Sequence, residues 1–501
     1  MIKTTISNFY GRKEYLEDLE SLWRKDSSSI IACRGRRRIG KSTLIREFAR
    51  RTADRYIEIE GLPPNKKMPK DAHSLNRMQL DNFISLLSLH TGCSKEPVDS
   101  WLEAFARMAQ QIDDSGRTVI LLDEISWMGQ HDPTFPGALR TVWETFLHQH
   151  PRLILAVCGS VSAWVKENIL GDTGFTGRFS RDYVLGELKL PECAEFWRAA
   201  KNRLDTREII DVLSVTGGVP RYLEEVDPGL SAEENIRRMC FLPSGELYKD
   251  FDAIFNSLFG AGAKEKKRIL RALAKCPLSG AEIIAAFEVE KNGRIAKHLR
   301  ELKDGGFITD DPRLNPETGE QARVGKYRLR DNYTRFYLKY IEPKKVQIET
   351  GTFRFASLAA LPEWNGVMGL QFENLVVNNA MDLLPYLHIG GATVESAAPY
   401  HNVRNTGPNR RGGCQIDLLI QTPRTAYVVE IKRKKYIDES IIDEVDDRMK
   451  RLRLRKGMSP RPVLVYDGEL EPSVEGAGFF DAVIPAEKLL GLNELRENPH
   501  A

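Results

Sequence analysis

The octet Gly35-Arg36-Arg37-Arg38-Ile39-Gly40-Lys41-Ser42 sets two glycines, a lysine and a hydroxyl at the spacing G-x-x-x-x-G-K-[ST]. That spacing suits phosphate. The glycines let successive backbone N–H groups converge on an anion, and a helix start beyond them adds its positive dipole end. Lys41 would reach the β- and γ-phosphates of a nucleoside triphosphate, and the Ser42 hydroxyl would bind Mg²⁺. Arg38, Ile39 and Thr43 sit within or directly beside this loop and join its candidate contacts. Further on, the run Thr118–Leu122 ends in Asp123 and Glu124. Asp123 would hold the Mg²⁺ through water, and Glu124 would polarise the attacking water.

A second chemistry-bearing set lies at 414–432. Cys414–Ile420 and Ala426–Lys432 flank the polar turn Thr422-Pro423-Arg424-Thr425, a pattern that predicts a β-hairpin. Strand alternation places Glu430 and Lys432 on one face and Val429 and Ile431 on the other, with Asp417 on the partner strand. Two carboxylates buried together repel, and a divalent cation removes the conflict. Asp417 and Glu430 would bind Mg²⁺ or Mn²⁺ through oxygen, with Glu373 from a flanking helix completing the shell. Lys432 would orient water or offset charge on a phosphorane-like transition state. An edge hairpin in which Lys432 simply neutralises Glu430 on a solvated face fits the same residues.

The elements that must position these groups follow from apolar patterning. Ser29–Cys33 reads as a buried strand leading into the phosphate loop, and Thr43–Arg51 as the helix leaving it. Thr118–Leu122 reads as a central parallel strand buried on both faces, its carboxyl end the place where an open α/β sheet binds ligand. Leu153–Cys158 is a further strand, ending near Ser160, which would either report on the γ-phosphate or cap the next helix. Arg178, in a Gly-rich loop, is a phosphate sensor, an arginine finger or an ordinary surface arginine. Pro191–Phe259 turns helical around Thr216-Gly217-Gly218-Val219-Pro220, a helix stop and sharp turn that is either only a loop or, in a nucleotide-bound lid, brings backbone near the base or phosphates, with Pro220 as the candidate contact. Lys264–Glu342 predicts a small winged helix whose third helix carries Arg294, Lys297, His298 and Arg300, a DNA-facing or merely solvated set. Pro343–Pro362 reads as an irregular connector.

With 501 residues, 42% of them hydrophobic and 29% charged, the chain has the composition of a globular protein of roughly three domains. Its 73 basic and 70 acidic side chains nearly cancel, so any nucleic-acid surface must be local. Arg433, Lys434 and Lys435, with Lys450, Arg451, Arg453 and Arg455 beyond and Arg404, Arg410 and Arg411 before, form such a cationic stretch. Seven cysteines without a C-x-x-C pair argue against a disulfide framework or a zinc ribbon. With no N-terminal apolar region and no run of membrane-spanning length, the expectation is a cytoplasmic protein without membrane attachment.

Two resemblances rest on these residues. Residues 9–225 resemble the archaeal and bacterial ATPase branch of the STAND group of P-loop NTPases, relatives of AAA+ proteins. The matching pieces are Phe9-Tyr10-Gly11-Arg12, Gly35–Ser42, Leu121-Leu122-Asp123-Glu124, Gly177-Arg178 and Gly217-Gly218-Val219-Pro220. The resemblance implies ATP rather than GTP, a winged helix behind the ATPase, nucleotide-driven switching and homo-oligomerisation, and it gives Phe9 and Arg12 a place beside adenine. Residues 365–484 resemble the PD-(D/E)xK nuclease superfamily through Glu373, Asp417, Glu430 and Lys432, with Gln415-Ile416 departing from the Pro or Glu that often precedes the aspartate. The expected fold class is α/β: a parallel-sheet ATPase core (1–190), helical lid (191–262), winged helix (263–342), linker (343–362) and a restriction-endonuclease-like α/β domain (363–501). The expected function is an ATP-driven switch, set by a protein trigger or regulator, that gates a Mg²⁺- or Mn²⁺-dependent nuclease acting on DNA in defence or DNA processing. The alternative is a regulatory ATPase whose last domain binds nucleic acid or protein without cutting.

Overall fold

The computed structural model describes residues 9–25, 27–63, 68–160, 163–171, 175, 177–198, 205–287, 293–321, 325–390, 393–402 and 413–492, apart from the side chains of 160, 163, 257 and 261. The chain forms two compact units, Met1–Glu187 and Leu188–Ala501.

In the first unit, helix α1 (Lys13–Leu22) precedes strand β1 (Ser29–Gly35), α2 (Lys41–Thr52), β2 (Arg55–Glu60), α3 (Ala72–Thr91) and α4 (Trp101–Ala109). Strand β3 (Thr118–Asp123), α5 (Ile125–Gly129), α6 (Phe135–Thr145), β4 (Leu153–Ser160), α7 (Ala163–Val165) and β5 (Phe179–Leu185) follow. The five strands form one parallel sheet in the order β2-β3-β4-β1-β5. Apolar residues alternate between its faces. Ile30, Ala32, Ile120 and Leu122 meet α4 and α6 through Trp101, Phe105 and Leu139. Ile31, Cys33, Val119 and Leu121 meet α1 and α2 through Leu19, Leu44 and Phe48. Both faces are covered, so β1 and β3 carry near-continuous apolar runs instead of alternation. All five strands point the same way, which gathers the carboxyl ends of β1, β3 and β4 at one edge.

The second unit opens with α8 (Leu190–Ala194), α9 (Thr206–Thr216), α10 (Pro220–Leu223), α11 (Ala232–Cys240) and α12 (Glu246–Phe259). Next come α13 (Ala263–Leu273), β6 (Leu278–Ser279), α14 (Gly280–Phe287), α15 (Gly293–Asp304), β7 (Ile308–Thr309) and β8 (Lys326–Leu329), with an antiparallel sheet in the order β6-β8-β7. Within it His298 is buried, its Nε2 2.8 Å from Glu265 Oε2, and Arg294 pairs with Glu265 at 2.6 Å. His298 therefore does not belong to a groove-facing set: at i+3 from Ile295 it falls on the buried stripe of α15. Helices α16 (Asn332–Phe336) and α17 (Lys345–Glu349) lead to α18 (Trp364–Asn378). The predicted connector is not loose, since its Phe353 and Phe355 rings pack on Phe241 at 5.4 and 5.2 Å.

Strands β9 (Ser396–Asn402), β10 (Cys414–Gln421), β11 (Thr425–Ile437), β12 (Ser459–Leu470) and β13 (Ala482–Pro485) make a mixed sheet, order β13-β12-β11-β10-β9, with α19 (Ser440–Arg451) between β11 and β12. One apolar core runs through the whole unit, from Leu213 in α9 through Phe255, Leu302 and Tyr333 to Phe372 in α18 and Val429 in β11. A buried ion triad reinforces it: Arg433 of β11 pairs with Asp467 of β12 at 2.9 Å and with Asp211 of α9. Arg433 was expected on a phosphate-binding surface, but its side chain is 6% exposed and spoken for by two acids.

One guanidinium cannot fully compensate two buried carboxylates. Burial pushes the Asp211 carboxyl up to about 6, and Asp467 adds to the rise against the pull of Arg433. A folded value above the unfolded one means that the folded state prefers protonated Asp211. Its contribution to stability is fully present below the unfolded value and lost as pH rises through the window up to about 6. Wild type is expected to lose on the order of 2–3 kcal/mol relative to Asp211→Asn between pH 4 and pH 7, at about 1.4 kcal/mol per unit. Denaturant unfolding of both proteins across that range checks it; parallel curves would contradict it.

Candidate functional site

The phosphate loop joins β1 to α2 under tight backbone control. A methyl on Gly35 would lie 2.5 Å from the carbonyl oxygen of Leu185 in the neighbouring strand, so this position admits only glycine. Gly40 takes φ 85° and Arg38 φ 72°. Of the five non-glycine residues with positive φ among those described, Arg12, Arg38 and Glu124 belong to this unit, in its predicted nucleotide segments. Such strain persists where surrounding structure enforces it, and it concentrates at ligand clamps. Gly40 caps α2 without a side chain, which leaves the first-turn amides of Ser42 and Thr43 as donors for an anion. Ile39 is buried in the α1–α2 core and anchors the loop.

Lys41 is 6% exposed, and its Nζ donates to the carbonyls of Gly35 and Arg36 at 3.2 Å each. The Ser42 hydroxyl donates to Asp123 Oδ2 at 2.5 Å, and the Glu124 amide donates to Asp123 Oδ1 at 3.0 Å. Burial pushes the Asp123 carboxyl up; the Ser42 hydroxyl and Lys41 pull the other way. Glu60, at the end of β2, is also raised by burial and by the charges of Asp123, Glu58 and Glu124. A hard dication with its phosphate ligands suits this donor set, since Ser42 and Asp123 already meet and the field there is negative.

The remaining expected contacts divide. Arg12 is buried, and its guanidinium donates to Gly186 O at 2.5 Å and to Ile39 O at 3.4 Å, so it braces the loop from behind. Phe9 packs on the same core. Ser160 ends β4 next to β1, and its side chain lies outside the described residues. Arg178 pairs with Glu144 of α6. Pro220 begins α10 in the second unit, after Gly217 at φ 60°.

In the second unit the hairpin register pairs Leu418 with Val429 and Leu419 with Val428, which brings Asp417 beside the stretch of β11 that carries Glu430 and Ile431. Glu430 is 2% exposed and Asp417 8%. Asp417 Oδ2 accepts from the Ile431 amide at 3.0 Å. Glu430 pairs with Lys432 at 2.7 Å and with Arg448 of α19, while Lys432 also reaches Glu444 at 2.9 Å. The hairpin is thus neither an edge nor solvated: β11 is the central strand, and α19 packs over the face carrying Glu430. Burial raises the Asp417 carboxyl against the Ile431 amide, Arg448 and Lys432. Glu373, on α18, is pushed up to about 7 by burial and by Asp417.

Glu430 Oε1 is buried without a hydrogen bond of good geometry, an oxygen suited to a cation, and the Lys432 ammonium already stands 2.7 Å from it. Against that, among the described residues no three carboxylate, imidazole or thiolate groups are close enough to hold one metal ion. Asp417 acts on the charge of Glu373, but these two and Glu430 are not a closed ligand set; Arg448 pairs with Glu430 and favours the charged forms of the other two.

Comparison with known proteins bears on the first unit. Residues 9–226 match the family described as an ATPase domain predominantly from Archaea. This segment, which holds the phosphate loop and Asp123, is similar to that ATPase family. An uncharacterised protein of Methanocaldococcus jannaschii is 24% identical over 388 residues, 75% of this chain and 80% of that protein. An ATP-binding protein of the same organism is 48% identical over 40 residues, 8% of this chain and 68% of that protein. Among solved structures, a Walker-type ATPase of Pyrococcus abyssi aligns with 66% of this chain and 97% of its own, at 15% identity and a TM-score of 0.47. The Aeropyrum pernix ORC2 protein aligns with 69% and 95%, at 14% identity and 0.43.

Around the phosphate loop, two partnerships escaped the motif. Arg46 clamps Glu58 beside Asp123, and Arg37 lies over the Trp127 ring at 5.0 Å. In the second unit the omission was Arg448. The signal was present: Ile441, Val445 and Arg448 fall at i, i+4 and i+7, so an arginine occupies the buried stripe of an amphipathic helix. Lys450 and Arg451 pair with Asp446 and Asp447, and Arg453 and Arg455 with Glu317 and Glu395, so the expected cationic patch is largely neutralised. Arg404, Arg410 and Arg411 lie outside the described residues. No helix among the described residues is long and apolar enough to cross a membrane.

Proposed function

We propose that the chain binds and hydrolyses ATP with Mg²⁺ and uses the cycle to govern a nuclease centre acting on DNA in its second unit. The observation that supports the first half is the closed Ser42–Asp123 pair at 2.5 Å beside the enforced Gly35–Gly40 loop. Lys41 leaves the loop carbonyls for the β- and γ-phosphates, and Glu124 receives a proton from the attacking water as the γ-phosphoryl bond breaks. The second half rests on Asp417 and Glu430 lying buried on adjoining strands of a central hairpin with Lys432 at hand. Mg²⁺ or Mn²⁺ held there by Asp417 and Glu430 supplies charge neutralisation and an activated water when bound. Lys432 holds Glu430 in place and stabilises negative charge on the phosphate as water adds and one P–O ester bond breaks.

Three helices with a β6-β8-β7 sheet read as a winged helix, here contributing Lys297 and Arg300 to solvent. ATP-dependent association of subunits, release by a protein trigger and a cytoplasmic location belong to the same reading. A second reading is favoured by one observation, the double engagement of Glu430 by Lys432 and Arg448: a domain that binds nucleic acid or protein without cutting.

The test is incubation of circular and single-stranded DNA with Mg²⁺ or Mn²⁺, with and without ATP. Wild type is expected to cut, and Asp417→Ala to lose at least about a hundredfold in rate, as for removal of one electrostatic catalytic group. Equal cutting by the variant, or none by wild type under any condition, removes the nuclease and leaves the second reading.

A further inference from the structure

A cleft of about 410 Å³ in the second unit opens beside the carboxylates Glu373 and Asp417. Its walls come from separate elements. Leu278 of β6 and Leu370 of α18, the latter 37% exposed although large and apolar, give it an apolar side. Lys326, which begins β8, gives it a cationic rim, and His401 of β9, held toward the neutral imidazole by burial and by Lys326, lies opposite Gln415, two residues before Asp417. Among the described residues neither Lys326 nor the Glu373 carboxyl makes an ion pair, though Arg335, Arg328 and Arg448 act on Glu373 from further off. Strands β6 and β8 therefore form one wall of a cleft that Asp417 also lines.

The volume lies at the lower end of the roughly 300–1,000 Å³ of small-molecule sites. A stacked base pair does not fit such a space, whereas one unpaired nucleotide offers an apolar base face for Leu278 and Leu370 and a phosphate for Lys326. Paired DNA would have to unstack first, at a cost of a few kcal/mol.

We propose that this cleft receives a single unpaired nucleotide, so that the centre at Asp417 acts on single-stranded or frayed polynucleotide and discriminates against intact duplex. The inference rests on the nuclease reading for its chemistry but is tested by binding. Fluorescence anisotropy of a labelled single-stranded DNA 20-mer and of the blunt duplex of the same sequence, on full-length protein at one salt concentration, provides the measurement. The single strand is expected to bind at least tenfold more tightly. Leu370→Trp, which fills the cleft, and Lys326→Glu are each expected to reduce single-strand binding about tenfold, with melting temperature and ATP turnover unchanged. Equal affinity for both probes, or single-strand binding indifferent to both variants, overturns the proposal. Selective, variant-sensitive binding without cleavage upholds it while removing the nuclease; cleavage of single strand and duplex alike does the reverse.

Discussion

Lys41→Ala is expected to lower ATP turnover by about a hundredfold or more while the protein stays folded. The magnitude is that of removing one preorganised charge from a site where negative charge develops. The structure explains why folding should survive. Lys41 Nζ has two long bonds of 3.2 Å, both to carbonyls of its own loop. The loop is held instead by Gly35 against β5, by buried Ile39 and by Arg12 from behind. Phosphate release and a thermal melt on the same preparation check both halves. Unchanged turnover would mean that nucleotide is processed elsewhere; a collapsed melt would mean that the lysine is structural.

Arg433→Leu is expected to destabilise the second unit by about 3–5 kcal/mol, the cost of leaving buried charges without their partner. Asp211 and Asp467 would then face each other across β11 with no cation between them. Pairing Arg433→Leu with Asp211→Asn and Asp467→Leu should recover most of the loss, because a fully apolar replacement of a buried ion cluster is often neutral. Denaturant unfolding of the single and triple variants reads it directly. A single variant as stable as wild type would show that water reaches the triad.

These two sites mark how much the sequence reveals. The nucleotide loop was legible because its chemistry depends on neighbours within eight positions, and β3 because apolar continuity followed by two acids is a local pattern. The faces of the 414–432 hairpin were legible for the same reason: alternation alone puts Glu430 with Lys432. Partnerships between distant elements were not. Arg433 looks like the start of a basic run, yet its decisive partner Asp211 is 222 residues away. His298 reads as part of a charged helix until Glu265, 33 residues earlier, packs against it. Arg448 hid among acidic neighbours in a helix whose exposed face drew the eye.

Residues 188–501 share a single apolar interior, and within it the Gln371 amide on α18 donates to Ser214 O of α9 at 2.8 Å and to Asn332 O at 2.8 Å. Glu373 sits two residues from that clasp. Any displacement of α9 would carry the acids along as passengers, their mutual spacing intact.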